Sequence, residues 1–190
     1  MIEIDARGLP RPGPLVKIKP ALEQTGGGTI SILVDNSESC RDIERFAQRR
    51  GCSVTIAVED GAYRLDINKE PGSEGNKIKS ADVVLITSNR LGGADARLGG
   101  ILMSSFLNSL WDADTKPGRV ILVNEAVKLA TEGSEVLDTL RLYEVEGVDI
   151  CSCGTCLDYF QLRDKLKVGR VTSMPEIVSS ITNSGKTITI

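Results

Sequence analysis

Histidine is absent from this 190-residue chain, and no other feature of its composition removes as much chemistry. Without an imidazole there is no Ser-His-Asp or Cys-His catalysis, no histidine-ligated zinc and no histidine acid–base work. A basic excess is also missing: the formal net charge is −3 with 26% charged residues, which argues against nucleic acid as a partner. Apolar runs stay short and the N-terminus, Met-Ile-Glu-Ile-Asp, has no signal-peptide pattern, so neither membrane nor secretion is expected. The expected location is cytoplasmic, where thiols stay reduced unless their chemistry is catalytic. Chemistry is left to Cys, Asp, Glu, Lys, Arg, Tyr and backbone amides. No cofactor is called for.

Cysteine is where the sequence is concentrated. Three of the five cysteines, Cys151, Cys153 and Cys156, fall within six residues of Val-Asp-Ile-Cys-Ser-Cys-Gly-Thr-Cys-Leu-Asp. Val148 and Ile150 read as a strand end, and Thr155 with Asp158 has the spacing of a capping box opening a helix. A thiol at such a junction lies near unpaired N–H groups and the positive end of a helix dipole, both of which favour thiolate. Cys153 and Cys156 form a C-x-x-C, in which one sulfur can attack what the other holds. Two blander readings stand beside this one. Small buried residues would explain the cluster without chemistry. Metal binding by the three cysteines would need a fourth ligand from elsewhere, and the spacing is not the usual paired zinc pattern.

The first part of the chain reads as βαβαββ. Residues 2–5 form a strand, and Pro12 or Pro14 suits the first turn of a helix with Leu15, Ile18 and Leu22 on one face. Pro20 is expected to kink or shorten that helix. Residues 29–35 form a strand, and Ser39 with Asp42 is expected to cap a helix carrying Cys40, Ile43, Phe46 and Ala47. Cys40 and Cys52 read as core. Val54, Ile56 and Val58 alternate, Asp60-Gly61 turns, and Tyr63, Leu65 and Ile67 alternate back as a hairpin. This makes residues 1–68 a small two-layer sandwich. Residues 69–80 lose periodicity, gather Gly, Pro, Ser and charge, and read as a linker.

Residues 81–190 change rhythm. Residues 83–86 and 120–123 are unbroken apolar runs, as in parallel strands covered on both faces. Helices follow, one with Leu98, Ile101, Leu102 and Phe106 as its stripe and one with Leu137 and Leu140. The strand at 148–151 leads into the helix of Leu157 and Phe160. A further helix runs through Ile177 and Ile181, opened by Ser173 and Glu176 as a capping box, and residues 186–190 close as a strand. β segments alternating with helices predict a flavodoxin-like, three-layer α/β domain with a mostly parallel five-stranded sheet. Ligands of such sheets sit beyond the carboxyl ends of the strands. That places the loops at 87–95, 124–133 and 151–156 together, bringing Asn89, Arg90, Asn124, Glu125 and Lys128 towards the cysteines. Gly92-Gly93 and Gly99-Gly100 do not make a G-x-G-x-x-G, and packing with a tight turn explains them as well as a nucleotide does.

Two stretches carry a family resemblance. N-E-A-V-K-L-A-T-E-G-S-E-V-L, G-V-D-I-C-S-C-G-T-C-L-D-Y-F and L-K-V-G resemble the sulfurtransferase-like selenium-metabolism proteins of the YedF type, which join a TusA/SirA-like domain to a DsrE/DsrF-like domain. D-A-R-G-L, the Pro-x-Pro helix start, V-D-N and R-F-A-Q-R-R-G are similar to the first of these. The resemblance implies a persulfide or selenosulfide carrier on Cys153, with Cys156 as resolving thiol; Cys151 and the loop residues Asn89, Arg90, Asn124 and Lys128 are the binding candidates that the sheet geometry sets beside them. It also implies a sulfur or selenium donor such as a cysteine desulfurase, and a homo-oligomer. TusA-like domains carry their cysteine in C-P-x-P; here that position is Arg11, so the first domain cannot carry sulfur by that route. Arg11 at a helix start could instead hold an anion or serve structure. Ala126 stands where the group's asparagine-led loop would have glycine. Two functional classes follow: a carrier or sulfurtransferase, and a non-catalytic binding or regulatory module with a degenerate TusA-like domain.

Overall fold

The computed structural model describes residues 2–59, 61–70, 82–93, 95–113 and 115–190, and the chain divides into two compact units, residues 1–77 and 78–190. Most of the expected linker, and Asp60 of the expected turn, lie outside the described residues.

The first unit is βαβαββ: β1 (Ile2–Asp5), α1 (Gly13–Gln24), β2 (Gly28–Val34), α2 (Ser37–Gln48), β3 (Ser53–Glu59) and β4 (Ala62–Lys69). Its sheet order is β1-β2-β4-β3, with β1 parallel to β2 and the other pairs antiparallel. Period-2 patterning in the strands and period-3.6 patterning in the helices aim one apolar set inward. Leu15, Ile18 and Leu22 of α1 and Ile43, Phe46 and Ala47 of α2 are buried with Ile30, Ile32, Leu65 and Ile67 of the sheet. Each large aliphatic or aromatic side chain so buried contributes about 1.5–3 kcal/mol.

Two local expectations are corrected. Helix α1 runs through Pro20 to Gln24, so it is not shortened there; Pro20 and Val16, whose carbonyl loses its intrahelical donor, are both exposed, which keeps that carbonyl on the solvent side. Helix α2 is capped by Asn36, whose side chain accepts from the Ser39 N–H at 2.8 Å, not by Ser39 with Asp42. Asn is a better cap than Ser in reach of that amide only because it sits at the non-helical residue before the first turn; Ser39 is already inside the helix.

The second unit contains β5 (Val83–Ile86), α3 (Ala96–Asp112), β6 (Arg119–Leu122), α4 (Leu137–Glu146), β7 (Asp149–Cys153), α5 (Gly154–Tyr159), β8 (Arg170–Thr172), α6 (Met174–Thr182) and β9 (Thr187–Thr189). A 3₁₀ segment, Asn124–Ala130, follows β6, and a shorter one, Arg163–Lys165, follows α5. The five strands lie in the order β8-β7-β6-β5-β9, all neighbours parallel. The flavodoxin-like expectation holds. β8 is the strand that hydropathy did not locate: three residues, Arg-Val-Thr, make no pattern.

The stripe of α3 is also corrected. Leu98, Ile101 and Leu102 are exposed, while Gly99, Met103, Leu107 and Trp111 face the core. Glycine carries no hydropathy signal, yet Gly99 packs tightly on the loop after β5: a Cβ there would lie 2.9 Å from Cβ of Arg90. Trp111 meets Tyr143 of α4 edge-on at 5.7 Å, and the Tyr143 hydroxyl donates to the Leu107 carbonyl at 2.7 Å. No helix among the described residues is long and apolar enough to cross a membrane.

Candidate functional site

Strand β7 is the central support of the thiol cluster. It pairs in register with β6 on one side and β8 on the other, so its C-terminal end is held from both flanks. Alternation along β7 puts Cys151 and Cys153 on one face and Ser152 on the other. Cys153 is the residue from which α5 starts, and no side chain caps that helix. The expected capping box is therefore not formed. Asp158 instead takes a bidentate pairing with Arg163, at 2.6 and 2.7 Å, and Arg163 also donates to the Gly154 carbonyl at 3.4 Å. Arg163 was not foreseen; a single Arg five residues beyond an Asp has no helical periodicity to draw attention to it. Gly154 is needed by close approach, since a Cβ there would lie 3.1 Å from both Arg163 and Val171.

The three thiols differ in access. Cys151 is 1% exposed, Cys153 2%, and Cys156 is half-buried. Burial pushes the Cys151 thiol up to about 12, reinforced by the Asp149 carboxylate. The Cys156 thiol is also raised, first by burial and then by a hydrogen-bonding contact with Cys153; the backbone N–H of Asn124 opposes both. That N–H lies 3.1 Å from the Cys156 sulfur. It points there because Asn124 adopts φ 53°, a left-handed conformation that Asn tolerates better than most residues. The expectation that a helix start depresses the thiol is thus not met at Cys156. Helix α5 has six residues, too few for a strong dipole, and burial wins.

The loops after β5 and β6 share one cleft through Asn89 and Lys128, and no cysteine lines it; of the expected neighbours, Asn124 reaches a thiol through its backbone N–H. Glu125 is held below its usual range by Lys128, with Arg90 adding to the effect, and the Lys128 ammonium reaches Glu125 at 3.0 Å. The same ammonium stands 4.4 Å over the ring of Phe160, one helical turn beyond Cys156. Asn89, Ser104, Lys128, Glu132, Glu135 and Phe160 contribute to the walls of a cleft of about 530 Å³. The Asn89 Oδ1 is buried and has no hydrogen-bond partner among the described residues. Arg90 itself is exposed. Among the described residues no group of three Cys, Asp or Glu is placed to hold a metal ion.

Arg11, the remaining candidate, belongs to the first unit. Its Nε donates to Asp42 at 2.8 Å and its Nη1 lies 3.6 Å from Glu38. The guanidinium ties the start of α1 to α2. Cys40 and Cys52 are both buried, with thiols raised by burial first.

Residues 2–69 match the family described as Sulfurtransferase TusA. A SirA-like protein from Desulfitobacterium hafniense is similar at 32% identity, over 36% of this chain and 96% of that one, with a TM-score of 0.35. The ychN protein from E. coli is 16% identical over 57% of this chain and 98% of its own, with a TM-score of 0.39. A protein of unknown function from Methanobacterium thermoautotrophicum is 20% identical, over 57% and 97%, with a TM-score of 0.41. Among curated proteins there is no match. With its four strands, two helices and Pro-x-Pro helix start, the first unit of this chain is a TusA-like domain of the sulfurtransferase type.

Proposed function

We propose that the protein is a sulfur or selenium carrier whose cargo rides on the Cys153–Cys156 pair of a DsrE-like second unit. The observation that carries this reading is the Asn124 N–H at 3.1 Å from the Cys156 sulfur, three residues beyond Cys153 at the end of β7. The sequence put the carrier on Cys153 and resolution on Cys156. Access favours the reverse, because Cys156 is half-buried and Cys153 2% exposed. In this reading the Cys156 thiolate attacks the outer sulfur of a donor persulfide, R–S–SH. The S–S bond breaks, RS⁻ leaves, and Cys156–S–SH forms. The Cys153 thiolate then attacks the Cys156 sulfur; the Cys153–Cys156 disulfide forms and HS⁻ departs, or HSe⁻ from a selenosulfide. The Asn124 amide stabilises the negative charge on Cys156 as the attacking thiolate.

A donor such as a cysteine desulfurase, a homo-oligomeric assembly and a cytoplasmic setting in selenium or sulfur metabolism accompany the proposal. The test is intact-mass analysis after incubation with a cysteine desulfurase and cysteine or selenocysteine. A reducible gain of one sulfur or selenium, mapped to Cys156 or Cys153, supports it. No gain on either residue removes it. The second reading, a binding or regulatory module with a degenerate TusA-like domain, is favoured at the first unit by the commitment of Arg11 to Asp42 and Glu38.

A further inference from the structure

Four strands lie at sheet edges among the described residues, and three of them are protected. β1 has four residues, two of them the acids Glu3 and Asp5; β8 and β9 have three residues each, β8 with Arg170. Short or charged edges resist pairing with another chain. β3 is different: seven residues, Ser-Val-Thr-Ile-Ala-Val-Glu, with no proline and a single charge at its last position. Its apolar side chains are also left uncovered. Ile56 is 39% exposed and Val58 68%, although register places them on the same face as the core: Ile56 opposite Leu65 and Leu65 opposite Ile32, Val58 opposite Tyr63 and Tyr63 opposite Val34. These rows of apolar side chains run outward across the sheet and stop at an open edge.

We propose that β3 pairs antiparallel with β3 of a second copy of this chain, about a two-fold axis at Ile56. The strand is self-complementary about that residue. Ile56 meets Ile56, Val54 meets Val58, Thr55 meets Ala57, and Ser53 meets Glu59, so like classes meet on each face. No two like charges oppose one another, because the strand's one carboxylate falls against a serine. The row Ile32–Leu65–Ile56 then continues into Ile56–Leu65–Ile32 of the second copy, turning two four-stranded sheets into one of eight strands. An isologous contact of this kind is closed and leaves no free β3 edge to propagate. An extended segment of a different protein would fit the same hydrogen-bonding edge, but the pairing of like residues about Ile56 specifies a copy of this strand.

Sedimentation equilibrium of the full chain tests the proposal, with circular dichroism to confirm folding. The wild type is expected to contain an even number of chains, and Ile56→Lys, which places two ammonium groups on the axis, to halve that number. A second measurement does not depend on Ile56→Lys folding. In a Cys153→Ser/Cys156→Ser background, Ile56→Cys is expected to give a disulfide-linked dimer on mild oxidation, because facing residues of an antiparallel pair lie within disulfide reach. Thr55→Cys, offset from its own copy, is expected to give little. A monomeric wild type overturns the proposal, and so does a folded Ile56→Lys of unchanged mass. Crosslinking of Thr55→Cys as fast as Ile56→Cys overturns it too.

Discussion

The two units place different chemistry at similar helix entrances. In the first, β1 leads through Arg11 into α1; in the second, β7 leads through Cys153 into α5. Neither helix has a side-chain cap; at α1 the Gly13 N–H turns back to the Pro10 carbonyl at 2.7 Å and Pro14 has no N–H to satisfy. At the first entrance the residue is a cation, drawn to Asp42 and Glu38 of the neighbouring helix. At the second it is a buried thiol, Cys153, followed three residues on by Cys156, whose sulfur accepts from the Asn124 N–H. The comparison teaches that a helix start supplies a setting and not a function. What sits there, and what it touches, decides between an inter-helix clasp and a nucleophile.

The comparison breaks most sharply under substitution of the thiols. Cys156→Ser is expected to abolish the sulfur or selenium adduct, whereas Cys153→Ser should retain it and slow its release, since the resolving thiol is gone. Intact-mass time courses distinguish the two, and the opposite outcome returns the carrier role to Cys153. Arg11→Cys carries the test to the other entrance. It should add one thiol that alkylates faster than Cys40 and Cys52, whose burial raises them, and it should cost about 1–3 kcal/mol by removing a charged partner from Asp42. Chemical denaturation alongside peptide mapping checks both parts.

Smaller effects sharpen the contrast. Gly154→Val should destabilise the second unit by roughly 1–3 kcal/mol by pressing on Arg163 and Val171, and should lower adduct formation by displacing Cys153 and Cys156. The chain has a single tryptophan, Trp111, so its fluorescence reports on the second unit alone. Acid provides the mildest test. Hydrogen bonds from Arg170 and Thr172 hold Glu176 at about 2, below the ordinary value near 4.3. A carboxyl lowered in the folded state stabilises above its unfolded pKa and loses that contribution as pH falls towards 2. Trp111 fluorescence should therefore show thermal stability declining between about pH 4 and 2 less in Glu176→Gln than in the wild type.

Much of this organisation was legible from residues 2–59 and 83–153, because alternating Val and Ile in the hairpin and unbroken apolar runs in β5 and β6 have one physical reading each. The errors share a cause. Asp158 and Asp42 were read as local capping residues, but Arg163 and Arg11 recruit them, and a charged partner outbids a backbone amide. The α3 stripe was assigned by counting large apolar residues, while the face that packs includes Gly99. The thiol setting needed three dimensions: nothing in Asn124 as a letter announces that its amide meets a sulfur 32 residues away.

That amide contact also makes the site self-reporting. A proton held between a backbone nitrogen and a sulfur is sensitive to the charge on the sulfur, so the Asn124 resonance in a ¹⁵N-correlated spectrum should move as Cys156 passes from thiol to thiolate and again when it is bonded to Cys153. Because the donor is main chain, Asn124→Gly would leave the signal and its response in place, with φ 53° still accessible. The protein thus carries its own spectroscopic probe of the proposed carrier cycle, one that requires no label on either cysteine.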